Sequence, residues 1–172
     1  MEKKLNLGSG DSKFDGYISV DKYDKAADVQ ADICDLPYED NSIDAIVAYQ
    51  VIEHVAYNKT EDMFREMYRV LKKNCSAIVE CPDMEYIAQD IAMTGDIEHK
   101  WMISIWGEYY RPWDKDRYEE CENHEGSKHR TGFTYQKLKR ICEPLGFTVI
   151  KRDWKDSQIK VPENLSVELV KS

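Results

Sequence analysis

Short apolar segments that end at polar or glycine-rich turns recur along the chain. In the first half they cover residues 4–7, 17–20, 45–49 and 77–81. Runs of this length, bounded by turn residues, are typical of buried strands in a parallel sheet. Residues 27–31 are either a short edge strand or only an extended segment, and the pattern does not separate the two.

Two segments have the spacing of amphipathic helices. The first is expected to begin at Thr60 as its N-cap, to end at residues 72–74, and to bury Met63, Met67, Val70 and Leu71. The second is expected to begin at Thr134 and to end at Gly146 in the left-handed conformation. A strand over 147–152 follows, and then a half-buried strand in which Leu165, Val167 and Leu169 alternate with polar residues.

This order of strands and helices predicts an α/β fold with a Rossmann-like, mostly parallel sheet and an antiparallel C-terminal strand. Parallel neighbours usually need a crossover of about a dozen residues. The links after Leu7 and Asp21 are shorter, so stunted helices are expected there. All of residues 1–172 are expected to form one domain.

The segment 84–130 follows the fifth predicted strand, and we interpret it as a helical, aromatic-rich insertion that lies over the site. Its aromatic side chains either pack the insertion onto the domain or line a substrate cavity. They are Trp101, Trp106, Trp113, Tyr109, Tyr110 and Tyr118.

Composition and charge exclude several classes of protein. The formal net charge is -9, from 24 basic and 33 acidic residues, and no basic stripe is long enough to follow a phosphate backbone, so nucleic acid is not the expected partner. There is no apolar run that would span a bilayer and no signal peptide pattern, so a cytoplasmic location is expected. The five scattered cysteines are expected to be reduced. Cys121 and His124, with His129 nearby, lack a second close cysteine pair, so no metal site is expected.

A glycine turn and two acids are the candidates for ligand binding. The turn Asn6-Leu7-Gly8-Ser9-Gly10 directly follows the first strand, where glycines allow a sharp turn and leave only hydrogen facing a ligand. Asp21 ends the second strand, where a carboxylate can accept hydrogen bonds from both hydroxyls of a ribose. Asp32 can accept from the amine of an adenine. Each acid has a plainer alternative as a turn or loop residue.

The order of these features resembles the class I S-adenosylmethionine-dependent methyltransferases. The resemblance is carried by the glycine turn, by Leu-Pro-x-x-Asp-x-Ser-x-Asp over residues 36–44, and by Val-Ile-Glu-His-Val over 51–55. Residues 65–72 are similar to the family's helix ending in Arg-Val-Leu-Lys. In the family Pro-Gly comes next, whereas this chain has Lys73-Asn74, and asparagine tolerates the left-handed turn. The similarity covers roughly residues 4–83 and 130–170.

The resemblance implies S-adenosylmethionine as the cofactor and assigns residues to its parts. In the glycine turn Gly8 and Gly10, with Leu7 and Ser9, would border the methionine and ribose. Asn6 stands where many relatives carry an acid near the cofactor's amino group. The remaining residues are Asp21 and Lys22 at the ribose, Asp32 and Ile33 at the adenine, and Tyr49 and Gln50 at the sulfonium.

Methyl transfer from a sulfonium is an in-line displacement in which positioning can supply most of the rate. The expected acceptor is a small polar molecule, such as a sugar or another metabolite. If a base is needed, His54 and His129 are the candidates, since imidazole titrates near neutrality. Asp83 follows the fifth strand and either reaches the acceptor or caps the next helix.

Two alternatives belong to other classes of protein. The chain could be a catalytically inactive module that binds S-adenosylmethionine or a nucleotide. A nicotinamide-dependent oxidoreductase is disfavoured, because its fingerprint needs a third glycine where Lys13 stands, and its acid lies about 20 residues on, whereas Asp21 comes sooner.

Overall fold

Seven strands form one sheet in the computed structural model, which describes residues 2–95, 99–107, 128–158 and 160–172. The sheet order is β3-β2-β1-β4-β5-β7-β6, with β1 to β5 parallel and β7 antiparallel to both β5 and β6. The predicted mostly parallel sheet with an antiparallel C-terminal strand is confirmed. The strands are β1 (Lys4–Leu7), β2 (Ile18–Asp21), β3 (Val29–Gln30), β4 (Ile43–Tyr49), β5 (Leu71–Pro82), β6 (Phe147–Lys151) and β7 (Asn164–Lys171).

The described helices all follow β4 in the chain. The crossovers over residues 8–17 and 22–28 are short, as expected, but they and the crossover over 31–42 contain no helix, so the expectation of stunted helices was wrong. Val29 and Gln30 pair with the end of β2, so this segment is an edge strand. The helices are α1 (Thr60–Val70), α2 (Met84–Thr94), α3 (His99–Trp106) and α4 (Tyr135–Cys142).

One face of the sheet carries the hydrophobic core. Alternate side chains along its central strands are buried there against the apolar sides of α1 and α4. On the opposite face Val47, Glu80 and Ser166 are buried, whereas Ile78 and Val170 are half-buried and Ile150 is 45% exposed. The strand residues on the covered face are Leu5, Leu7, Ile46, Ala48, Ala77, Val79, Cys81, Leu165, Val167 and Leu169.

The start and end of α1 differ from the sequence prediction. Thr60 is its first helical residue and not its cap, because a 3-10 turn over Tyr57–Lys59 leads directly into the helix. The helix ends at Val70, and residues 72–74 belong to β5, because Leu71 is already extended and pairs with β4. Asn74 does adopt the expected left-handed conformation, with φ 64°.

The last strand is more deeply buried than its alternating pattern predicts. β7 lies inside the sheet, between β5 and β6, and Ser166 is only 1% exposed. The prediction of a half-buried strand was wrong because Ser166 donates its hydroxyl hydrogen to the buried Glu80 carboxylate, at 3.0 Å. A polar residue can therefore occupy the interior position.

Arg69 in α1 anchors the helix-free crossover that leads into β4. Its guanidinium donates to the carbonyl oxygens of Leu36 and Tyr38 and to the carboxylates of Glu66 and Asp40. Glu66 in turn accepts the backbone N–H of Leu36 at 3.0 Å. These bonds fix the loop that carries Asp32 against a core helix.

The predicted helical insertion begins with α2 and α3. Trp101 is fully buried, donates its indole N–H to Asp90 at 2.8 Å and meets Tyr86 edge to face. Trp106 is 49% exposed. Trp101 thus packs the insertion and Trp106 is half exposed, while Trp113, Tyr109, Tyr110 and Tyr118 lie outside the described residues. Among the described helices none has the length and hydropathy of a membrane span.

Candidate functional site

A cavity of about 360 Å³ lies at the carboxyl ends of the parallel strands. In open α/β sheets this edge is where ligands bind. The cavity brings together many of the residues that the sequence singled out: Gly8, Gly10, Asp21, Lys22, Asp32, Ile33, Gln50 and His54. Asn6, Leu7, Ser9 and Tyr49 do not line it.

The two glycines of the turn have different reasons to be glycine. Both have positive φ, 61° at Gly8 and 45° at Gly10. A Cβ atom at Gly8 would come within 2.0 Å of Val51 Cγ2, so a side chain of this molecule and not a ligand fills that space. A Cβ at Gly10 would meet nothing within 4 Å. The expectation that both glycines leave room for a ligand therefore fits Gly10 but not Gly8.

Asp21 ties the glycine turn to the end of β2. One carboxylate oxygen accepts the N–H of Gly10 at 3.0 Å, and the other accepts those of Tyr23 and Asp24 at 2.7 and 2.9 Å. An ionised carboxylate offers about four acceptor positions, so Asp21 retains capacity for a ligand hydroxyl. It lines the cavity while holding two of its walls in place.

Asp32 is held as an ionised acceptor in the wall of the same cavity. Partial burial opposes its ionisation, but the N–H of Cys34 and the ammonium of Lys22 outweigh burial and lower the pKa of Asp32. Burial and the Asp32 charge raise the pKa of the Cys34 thiol to about 12, so Cys34 is a neutral thiol in the cavity wall.

Gln50 is fixed where β4 ends. Its φ is 52°, its N–H donates to Glu80 O at 2.8 Å, and its side-chain amide donates to Asn164 Oδ1 at 2.8 Å. Its neighbour Tyr49 instead meets the Phe14 ring edge to face. Of this predicted pair, only Gln50 contributes to the cavity.

Three residues of the glycine turn lie behind the cavity wall. The Asn6 side chain is 2% exposed and donates to Ser12 O at 2.8 Å, which braces the turn from within. Leu7 belongs to the hydrophobic core. The Ser9 hydroxyl is buried without a hydrogen-bond partner among the described residues.

A second cavity, of about 210 Å³, adjoins the first. The two share Arg130, and the consecutive residues His54 and Glu53 line the first and the second respectively. Met84 and Phe133 give the second cavity apolar walls, and Trp106 also lines it. Glu53 and His54, although consecutive in the chain, therefore face two neighbouring cavities.

Glu53, His54 and His129 meet at this junction. The two imidazole centroids are 4.8 Å apart, and His129 Nε2 lies 3.9 Å from Glu53 Oε1. Burial raises the pKa of Glu53 to about 8. Burial, and secondarily His129, lowers the pKa of His54 to about 4, and burial also lowers the pKa of His129. Both imidazoles are therefore mainly neutral near pH 7, and a neutral imidazole has one nitrogen that can accept a hydrogen bond.

Asp83 lines neither cavity, although its chain neighbours Pro82 and Met84 both line the second. It is the N-cap of α2, where its carboxylate accepts the N–H of Glu85 at 3.0 Å. The sequence left two roles open for Asp83, reaching the acceptor or capping the next helix. The hydrogen bond to Glu85 is that of a helix cap.

Three residues of the site escaped sequence reasoning. Glu53 lies inside the recognised 51–55 segment, and its place between Ile52 and His54 was the one available signal. Val51 belongs to the same segment, but its contact with Gly8 is long-range. Arg130 joins both cavities and carries no sequence signal at all.

The residues present fit S-adenosylmethionine. Small-molecule cavities typically have a volume of about 300–1,000 Å³, and the first cavity is within that range. It offers ionised Asp32 for an adenine amine, Asp21 for ribose hydroxyls and an open backbone position at Gly10. The donor and acceptor chemistry of the walls thus matches the nucleoside half of the cofactor.

Comparisons with known proteins bear on the fold and on the class of cofactor. Residues 8–79 match the model of the methyltransferase domain family. No curated protein sequence matches the chain.

Three solved structures illustrate the shared fold. A possible histamine N-methyltransferase from Thermotoga maritima is 16% identical, covers 100% of this chain with 83% of its own length, and has a TM-score of 0.62. An S-adenosylmethionine-dependent methyltransferase from Archaeoglobus fulgidus is 14% identical and has a TM-score of 0.62. The alignment covers 98% of this chain and 85% of that protein.

The third is a putative methyltransferase of Haloferax volcanii in complex with the Trm112 methyltransferase activator. It is 15% identical and has a TM-score of 0.58, and the alignment covers 99% of this chain and 82% of that protein. At these identities the likeness is one of fold. Together with the family match over residues 8–79, it gives the chain the fold of S-adenosylmethionine-dependent methyltransferases.

Proposed function

We propose that the chain transfers the methyl group of S-adenosylmethionine to a small polar acceptor, such as a sugar or another metabolite, bound in the second cavity. The observation that carries this proposal is the junction of the two cavities at Arg130 and at the consecutive residues Glu53 and His54. A cofactor in one cavity and an acceptor in the other would meet there, as an in-line displacement requires.

In the first cavity, residues of the chain would bind S-adenosylmethionine and orient it. Asp21 would accept hydrogen bonds from the ribose, Asp32 with Ile33 would hold the adenine, and Gly10 leaves space for the ligand. Gln50 would border the reacting end, since it is pinned between β5 and β7. The bound cofactor supplies an electrophilic methyl group at that end.

On the acceptor side, polar groups face an apolar wall. The neutral imidazoles of His54 and His129 can accept a hydrogen bond from an acceptor hydroxyl or amine, which orients its nucleophilic atom. Met84 and Phe133 would contact the carbon skeleton of the acceptor. This combination favours a small molecule with both a polar and an apolar side.

Calorimetric titration of the full chain tests the cofactor step. S-adenosylmethionine and S-adenosylhomocysteine are expected to bind with one molecule per chain, and Asp21→Ala is expected to weaken binding at least about tenfold, the equivalent of about 1.4 kcal/mol. Asp15→Ala is the matched control, because Asp15 is an exposed acid in the crossover that precedes β2 and lies outside the cavity. Equal affinities in the two variants would contradict the placement of the ribose.

Release of S-adenosylhomocysteine during incubation with a metabolite panel tests the transfer step. Turnover with a small polar compound is expected. If the chain binds S-adenosylmethionine but releases no S-adenosylhomocysteine with any compound of the panel, an inactive binding module would be favoured instead.

A further inference from the structure

The junction between the cavities contains a carboxylate that lacks a partner. Glu53 is 2% exposed, and neither of its carboxylate oxygens has a hydrogen bond to any described residue. Burying an unpaired polar group costs free energy, and native structures satisfy nearly all of them. Glu80 shows the usual solution, since this fully buried carboxylate accepts from Gln158, Asn164 and Ser166. The unpaired carboxyl group of Glu53 is therefore available to a partner other than the described residues.

Both neighbouring imidazoles are held in the orientation of metal ligands. His129 Nδ1 lies 2.8 Å from Ser104 O, and His54 Nδ1 lies 3.1 Å from Lys128 O. A carbonyl oxygen only accepts, so each Nδ1 carries the hydrogen and each Nε2 carries the lone pair. Metal-binding histidines almost always donate their second ring N–H in this way, which fixes the ring and its tautomer.

We propose that Glu53, His54 and His129 bind one divalent transition-metal cation. Each residue offers a ligating atom, and these atoms lie within 4.8 Å of one another. Ligands about 2.1 Å from a cation are at most about 4.2 Å apart, so side-chain movements of roughly 1 Å close the site. Two imidazoles and one carboxylate suit zinc, iron and cobalt better than magnesium or calcium.

Three protein ligands leave coordination positions open, as in catalytic metal sites. Here they would face the junction of the cavities, because His54 lines the first and Glu53 and His129 line the second. The imidazole lone pairs would then hold the cation, and the cation would hold an oxygen or nitrogen of the acceptor. This last step rests on the proposed methyl transfer, whereas metal binding itself does not.

Cobalt titration of the chelator-treated full chain tests the proposal. Co²⁺ is expected to bind one per chain, with the absorption spectrum of nitrogen and oxygen ligation and no thiolate charge-transfer band from the cysteines. Glu53→Gln and His129→Asn are each expected to weaken binding at least about 100-fold. Glu80→Gln is the matched control, a buried glutamate away from the cluster, and is expected to change the affinity less than about twofold.

Far-ultraviolet circular dichroism of every variant verifies that it is folded. The proposal is overturned if Co²⁺ does not bind, if Glu53→Gln and His129→Asn bind it like the wild type, or if thiolate bands dominate. A separate titration with S-adenosylmethionine keeps the two proposals apart. If the chain binds the cofactor but not cobalt, only the metal site is refuted. If it binds cobalt but not the cofactor, the proposed methyl transfer is refuted.

Discussion

Substituting Gly8 by alanine should damage stability, and substituting Gly10 should damage cofactor binding. The two glycines lie in one turn, both have positive φ, and both line the cavity. They differ in what a new Cβ atom would meet, which is Val51 at Gly8 and open space at Gly10. The pair therefore separates steric from conformational effects within a few residues of chain.

The magnitudes follow from these contacts. Placing alanine in the left-handed region costs about 1–2 kcal/mol at either position. At Gly8 the Cβ would lie 2.0 Å from Val51 Cγ2 and 2.6 Å from Val51 Cβ. Overpacking of this kind adds about 1–3 kcal/mol. Gly8→Ala is thus expected to lose about 2–5 kcal/mol of unfolding free energy, and Gly10→Ala about 1–2 kcal/mol.

Urea unfolding of both variants, with and without Val51→Ala, measures these costs. Val51→Ala removes Cγ2 and Cγ1 but leaves Val51 Cβ at 2.6 Å from the new Cβ, so it relieves part of the clash. Gly8→Ala should therefore cost at least about 1 kcal/mol less in that background. Gly10→Ala should show no such coupling but should weaken S-adenosylmethionine binding in calorimetry. Equal losses of stability at the two glycines, or an uncoupled Gly8→Ala, would refute the reasoning.

Two further outcomes test the cavity wall and the crossover. Burial and the Asp32 charge raise the pKa of Cys34 to about 12, so only about one Cys34 in ten thousand is a thiolate at pH 8. Iodoacetamide should therefore modify Cys34 far more slowly in the folded chain than in the urea-unfolded chain, as measured by peptide mass spectrometry. Similar rates in the two states would contradict the burial of this thiol. Arg69→Lys should lower the unfolding free energy by about 1–3 kcal/mol, because a lysine cannot replace the guanidinium's fork of bonds to two carbonyls and two carboxylates. Arg65→Lys, in an exposed pair with Glu61, should cost less than about 0.5 kcal/mol, and a comparable loss in both variants would show that the crossover does not depend on Arg69.

Features that depend on local pattern were predictable from the sequence. The strand at residues 4–7, the Thr134 cap and the left-handed Gly146 all follow from neighbouring residues, and the structure has each of them. The shortened crossovers were predictable for the same reason, because their length is visible in the chain.

Features that depend on contacts between distant segments were not. The burial of Ser166 needs the Glu80 carboxylate across the sheet, and the requirement for glycine at position 8 comes from Val51. Glu53 and His129 come together only when the chain after α3 returns to the end of β4, where Arg130 N–H donates to Glu53 O at 2.7 Å. Periodicity records which side of an element is apolar, but it does not record which polar groups will meet.

The interior place of β7 has a consequence for the order in which the protein is made. This strand pairs with β5 on one side and β6 on the other, and Lys171 near its end donates to the carbonyls of Tyr68 and Leu71 at the end of α1. During synthesis, β1 to β5 leave the ribosome long before residues 164–171 do. Until then β5 has an open edge, which is the kind of surface that pairs with other chains. Folding of this sheet on the ribosome should therefore need a late step, in which β7 inserts and closes that edge.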